Sequence, residues 1–253
     1  MTIAAQLRSF SVDIAVRGSR QSTRVRVLDG VDLTVERERV TALVGESGCG
    51  KSMVAAALTG LLPPGSTVSG ASIVDGIDLA PDDPRWRGLR GHRVGLVPQS
   101  AATSFTPVRT VGDQLDEVVT ALSGESTPAR LCADVGLPPG VLSKYPHEIS
   151  GGMAQRAAVA AAIAGRPEVL IADEPTASLD PVLAQRIWHL LADQAEAGAA
   201  VLVVTHDLET MRRVGRCDSV ALMRSGRILR QESLEAMAAS DDDYVRAFTE
   251  PVI

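Results

Sequence analysis

The sequence has 253 residues, 45% of them hydrophobic, and a formal net charge of −6 from 25 basic and 31 acidic side chains. A chain of this length can bury a substantial core, as one large domain or one domain carrying an inserted subdomain. Its acidic balance argues against a nonspecific grip on nucleic acid through phosphate neutralisation.

In chain order, the opening MTIAAQLRSF lacks the basic flank and apolar stretch of a targeting signal, and no run approaches the roughly 18 apolar residues that a membrane span needs. Any membrane role is therefore expected to come through a partner. Residues 25–35 alternate apolar and polar side chains, and residues 40–44 form a short apolar run ending at a glycine-rich turn, so both are expected to be strands feeding a loop. Residues 51–62, rich in Ala, Leu and Met, predict a helix that Pro63, Pro64 and Gly65 stop. Residues 72–79 read as a hairpin around Asp75-Gly76, and residues 94–97 as a buried strand. Arg85, Arg87, Arg90 and Arg93 read as a solvated face.

Between residues 110 and 164 the pattern turns helical, broken once at Pro138, Pro139 and Gly140. Strands at 169–172, 201–204 and 219–223 then alternate with helices at 181–197 and 207–214. That alternation predicts an α/β fold with a parallel sheet and crossover helices, interrupted by a helical insertion. Asp241, Asp242 and Asp243 are expected to form the acidic first turn of a terminal helix. Cys49, Cys132 and Cys217 are widely spaced and odd in number, which points to neither a disulfide framework nor a zinc site and fits a reducing cytosol.

Residues 45–52 read Gly45, Glu46, Ser47, Gly48, Cys49, Gly50, Lys51, Ser52, a full G-x-x-x-x-G-K-[ST] loop between a predicted strand and a predicted helix. Gly45 and Gly50 permit the tight path that turns backbone N–H groups toward phosphates, Lys51 supplies charge to the β and γ phosphates, and the Ser52 hydroxyl is a Mg2+ ligand. Cys49 is read as a small residue at a variable loop position, with a reactive thiol as the alternative. Asp173 and Glu174 end an apolar strand at the sheet edge where α/β ligands bind: Asp173 suits the metal shell and Glu174 the general base that polarises an attacking water. Gln99 and His206 follow predicted strands on that same edge; Gln99 can ligate Mg2+, and a neutral His206 can hold a γ phosphate oxygen or the water. Each could instead be an ordinary loop residue or cap.

The segment Ile149-Ser150-Gly151-Gly152-Met153-Ala154-Gln155-Arg156 opens a helix, and so offers a second anion site in a chain that already has one. A second γ phosphate grip makes sense if it serves a nucleotide held by another subunit.

Taken together, the P-loop, Gln99, the Ser150 to Gln155 signature, Asp173-Glu174, Ser178-Leu179-Asp180 and His206 occur in the order found in ABC ATPases, and the chain resembles that family over about residues 1–235. The resemblance implies a P-loop NTPase core (RecA-like) with an antiparallel β subdomain, over residues 1–99 and 165–235, a helical signature subdomain over 100–164 and a short helical tail over 236–253. It also implies ATP and Mg2+ as ligands, with Ser52, Gln99 and Asp173 at the metal and Asp180 in the D-loop. Ser150, Gly151, Gly152, Met153 and Gln155 would meet a nucleotide held by a second cassette, in a homodimer or heterodimer. The further partners implied are two membrane-spanning permeases and an extracytoplasmic binding protein, with the chain on the cytoplasmic face of the membrane. Soluble ABC proteins of DNA repair or translation usually carry a long coiled coil or two cassettes, and neither is present. A small-molecule P-loop kinase would leave residues 150–155 without a purpose.

Finer features are similar to the oligopeptide, dipeptide and nickel importer branch: residues 45–48, Pro98-Gln99 leading to Thr103-Ser104-Phe105-Thr106-Pro107, Val111-Gly112-Asp113-Gln114, and Tyr145-Pro146-His147-Glu148. The lack of a His-Pro-Tyr-Thr stretch and a C-terminal cysteine cluster resembles the short nickel-type members, so peptide and metal chelate both stand as cargo. The family usually stacks an aromatic on adenine near the end of the first strand. Here the position falls to Ile14, with Phe10 read as core or as the alternative platform.

Overall fold

The computed structural model describes residues 2–16, 23–177 and 179–249. The first half contains β1 (Ile3–Val16), β2 (Thr23–Glu36), β3 (Arg39–Gly45), α1 (Lys51–Thr59), β4 (Thr67–Val74), β5 (Ile77–Asp78), α2 (Trp86–Leu89) and β6 (Val94–Val97). Next come α3 (Val111–Ala121), α4 (Pro128–Asp134) and α5 (Gly151–Ile163). The remainder is β7 (Val169–Asp173), α6 (Pro181–Glu196), β8 (Ala200–Val204), α7 (Leu208–Val214), β9 (Ser219–Arg224), β10 (Arg227–Glu232), α8 (Leu234–Ala238) and α9 (Asp243–Thr249).

Two sheets result. One is antiparallel, in the order β2-β1-β4-β5; the other runs β10-β9-β3-β8-β7-β6, parallel except for β10 at its edge. Strands β7 and β8 are buried at every position because both faces of the sheet are covered. Along β7, Leu170 and Ala172 join one hydrophobic cluster while Val169 and Ile171 join the other, the period of two expected of a strand. Pairing of Leu43 with Val204, Val204 with Asp173, and Ala172 with Val97 brings four strand ends to one edge. The expected parallel sheet is thus present, with α3, α4 and α5 between β6 and β7.

The Asp75-Gly76 hairpin forms as expected, with φ of 50° and 74° at the two residues and Val74 paired with Ile77. Helix α1 ends earlier than residue 62. Gly60 caps it in the left-handed region at φ 63°, and the Trp86 ring occupies the place of a side chain there, 2.4 Å from where a Cβ would stand. Arg90 likewise departs from the solvated face expected of the arginines. It is half-buried, donates from Nε to Thr59 O at 2.9 Å and from Nη2 to Gly60 O, and so closes the carbonyl end of α1 with a positive charge. Gly60→Ala should therefore combine a strained φ with overpacking against Trp86 and lower stability by about 1–3 kcal/mol, measured by denaturant unfolding.

The tail is helical, but its acidic run divides. Asp242 precedes α9 and accepts from Tyr244 N at 2.9 Å, leaving only Asp243 inside the first turn. Among the described residues no helix is long and apolar enough to cross a membrane. All three cysteines are free.

Candidate functional site

The loop leaving β3 is wound by glycine. A Cβ on Gly45 would stand 2.2 Å from Met223 O, and Gly50 has φ 109°. Gly50 also caps α1 without any side-chain hydrogen bond, so the first N–H groups of that helix are left for a ligand. Lys51, only 8% exposed, folds back so that Nζ donates to Gly45 O and Glu46 O, both at 2.9 Å. Ser47, Gly48, Gly50, Lys51 and Ser52 line a cleft of about 650 Å³ together with Gln99, Glu174 and His206. Four separately predicted segments thus converge on one space.

Asp173 lies at the floor of this edge, 7% exposed, with its Oδ1 buried and without a hydrogen-bond partner. Burial pushes its carboxyl above the ordinary value, opposed by a hydrogen bond from Ser52. A buried carboxylate oxygen left over beside the Ser52 hydroxyl, with the Gln99 amide lining the same cleft as Ser52, makes a set of hard oxygen donors that fits Mg2+. No group of three or more His, Cys, Asp or Glu gathers among the described residues, so such an ion would complete its shell with phosphate oxygens and water.

Glu174 adopts φ 49°, a left-handed conformation that a non-glycine residue seldom keeps without a reason. Its N–H continues the ladder to Val204 O at 2.9 Å, and its nearly buried carboxylate lies 2.8 Å from His206 Nδ1. The His206 side chain is 68% exposed, in the cleft wall, and its second ring nitrogen remains for a ligand. A carboxylate shielded from water and oriented by an imidazole can take a proton from a water placed between them and a phosphate.

The second helix start sits elsewhere: none of residues 150–155 lines the cleft that holds Lys51. Ser150 caps α5, accepting from Met153 N at 3.2 Å, while Gly151 is exposed with nothing within 4 Å of a Cβ position. Two of the residues grouped with them behave differently. Met153 packs half-buried against the core, and Gln155 is 3% exposed with Nε2 buried and unpartnered, so neither side chain stands open at the helix start as Gly151 does. Arg156, which the sequence reading passed over, donates from Nε to Gly152 O at 3.2 Å and from Nη1 to Gly136 O, fixing the turn from within. Asp180 caps α6 through Val182 N and Leu183 N, both at 3.0 Å; Ser178 lies outside the described residues.

Phe10 is 2% exposed in the core that includes Leu28 and Leu43, which removes it as a platform for a base. Ile14 packs half-buried on that core, and the cleft is lined instead by Val27 and Met53, neither singled out in the sequence. Alternation along β2 was the available signal for Val27. Cys49 is buried and its thiol pushed up by that burial despite nearby Lys51, the opposite of what an activated thiol requires.

Residues 28–177 match the family model described as ABC transporter, and residues 144–212 match one described as AAA domain, putative AbiEii toxin. The chain is 39% identical over 241 residues to the probable peptide ABC transporter ATP-binding protein y4tR of Sinorhizobium fredii, covering 90% of this chain and 71% of that one. It is 33% identical over 243 residues to the oligopeptide transport ATP-binding protein OppD of Lactococcus lactis subsp. cremoris, covering 92% and 70%. With the dipeptide transport ATP-binding protein DppD of Bacillus subtilis the identity is 37% over 220 residues, covering 81% and 64%. Among solved structures, a dimeric post-hydrolysis state of the ATP-binding cassette MJ0796 bound to ADP and Pi superposes with a TM-score of 0.77 at 24% identity, over 90% of this chain and 98% of that one. A second dimeric structure of MJ0796 gives 0.76 at 25%, with the same coverage.

Proposed function

Because the chain belongs to the ABC transporter ATP-binding family and is an ATP-hydrolysing subunit of that class, we propose that it is the motor of a peptide importer. Its place would be the cytoplasmic face of a membrane, where it pairs with a second cassette and with two permeases fed by an extracytoplasmic binding protein. Peptide is favoured as cargo because the relatives named above carry peptide, oligopeptide or dipeptide in their names. Nickel, kept open by the sequence, has no counterpart among those names.

In this reading the loop from Gly45 to Ser52 cradles the ATP phosphates, and Ser52, Asp173 and Gln99 hold Mg2+. The ion would neutralise charge on the β and γ phosphates. Glu174 accepts the proton of the attacking water at its carboxylate, and His206 fixes that carboxylate from Nδ1 while its other ring nitrogen, an acceptor in the neutral ring, faces the water. Ser150, Gly151 and Gly152 face the nucleotide of the second cassette. One observation carries the shared site: the chain has two helix starts suited to anions, and the second lies outside the cleft of the first.

An aspartate at Gly151 tests it, since an acid is tolerated at a helix N-terminus but repels a phosphate. Gly151→Asp is expected to bind ATP like the parent while hydrolysis in the assembled pair falls by roughly 10²-fold, the size of a lost transition-state donor. Full-rate hydrolysis by a strictly monomeric preparation would overturn the shared site. Copurification with permeases, and ATP-dependent uptake of labelled peptide against labelled nickel chelate in vesicles of that complex, test the importer and its cargo.

A further inference from the structure

Glu46 is held at both ends. Its carbonyl accepts from Lys51 Nζ at 2.9 Å, and its carboxylate Oε1 accepts from the hydroxyl of Tyr244 at 3.2 Å, across 198 residues of chain. Tyr244 does not reach that position by accident of a loose tail. Asp242 caps its helix, Val245 beside it is 1% exposed in the main core, and the Arg224 guanidinium lies 4.2 Å over the Tyr244 ring. Arg224 ends β9, the strand whose Met223 pairs with Gly45 and whose Met223 carbonyl closes off the Cβ position there. The terminal helix is therefore bolted to the same strand end that shapes the phosphate loop. Burial and the neighbouring Glu46 push the Tyr244 phenol above its ordinary value, so it stays a donor at neutral pH.

Neither Glu46 nor Tyr244 lines the cleft. Between Gly45 and Gly48 the backbone is held by the Lys51 ammonium on two carbonyls and by a long bond from Cys49 N to Glu46 O at 3.4 Å, and the Glu46 side chain is exposed. We propose that Tyr244 is a positioning residue for ATP binding: by fixing the Glu46 side chain it keeps the loop in the shape that receives phosphate. Ordering is then completed on folding instead of at binding, which raises affinity without altering the chemical step. The inference rests on ATP phosphates occupying this loop.

Tyr244→Phe in the full chain keeps the ring, its packing and the Arg224 contact, and removes only the hydroxyl. Its Kd for ATP and the KM of the assembled ATPase should rise about three- to tenfold, the net size of one solvent-exposed hydrogen bond, with kcat and Tm unchanged. Glu46→Ala should weaken binding as well, and adding Tyr244→Phe to it should change nothing more. Unaltered affinity in Tyr244→Phe, equal effects of that change with and without Glu46, or a lowered Tm with unmoved KM would each overturn the proposal. Lys51→Ala serves as the control. Normal ATP affinity there would remove the phosphate loop itself, whereas weak binding there alongside normal binding by Tyr244→Phe removes the tether alone.

Discussion

Glu174→Gln should leave binding of ATP and Mg2+ intact while slowing hydrolysis by about 10² to 10⁴-fold, the usual worth of a positioned general base. The expectation starts from β7, which delivers Asp173 and Glu174 as neighbours and turns the second into a left-handed conformation beside His206. Glutamine fills the same volume and still offers an oxygen to a donating Nδ1, so neither the strand end nor the imidazole needs to move. What disappears is the negative charge that accepts a proton. With the γ phosphate uncleaved, the two cassettes should remain joined, and size-exclusion chromatography with ATP and the proper partner should show a more persistent dimer than the parent gives. An unchanged single-turnover rate would refute the role and turn attention to His206.

The parts of this fold that could be read from the sequence are those fixed by local rules. A Gly-rich loop between an apolar run and an Ala-rich helix, Asp75-Gly76 between two strands, and apolar runs of four residues at 169–172 and 201–204 each carry their own signal, and each formed where expected. What escaped depends on residues distant in sequence. The end of α1 is set by Trp86 and Arg90, some 30 residues further on. Gln155 reads as one more polar residue of an exposed helix start until the helix is packed, when its side chain turns out to lie inside. Phe10 was separable from a ligand platform only once the second sheet was laid over it. Tyr244 had no local motif at all, because its meaning lies in Glu46.

The remaining expectation concerns the loop's cation. Lys51→Ala should weaken MgATP binding by roughly 10²-fold or more, since charge-assisted hydrogen bonds are worth about 1.5–3 kcal/mol each and a lysine between two phosphates makes more than one. In the resting protein the ammonium is already satisfied by the carbonyls of Gly45 and Glu46, and it is nearly enclosed. Phosphate must therefore outbid two neutral acceptors, which a doubly charged group can do and a chloride or a water cannot readily do in the same geometry. Alanine at the first position of α1 is the best helix former available, which offsets part of the cost of leaving the carbonyls of Gly45 and Glu46 without the ammonium. The variant is thus expected to fold, with circular dichroism and Tm close to the parent, so that a calorimetric titration reports the lost charge and not a lost structure. Residual binding should also depend less steeply on salt, because one fixed cation near the phosphates is gone. If the folded variant binds MgATP with the parent's affinity, Lys51 is not the phosphate anchor, and its folded-back position would be only a way of sealing the loop.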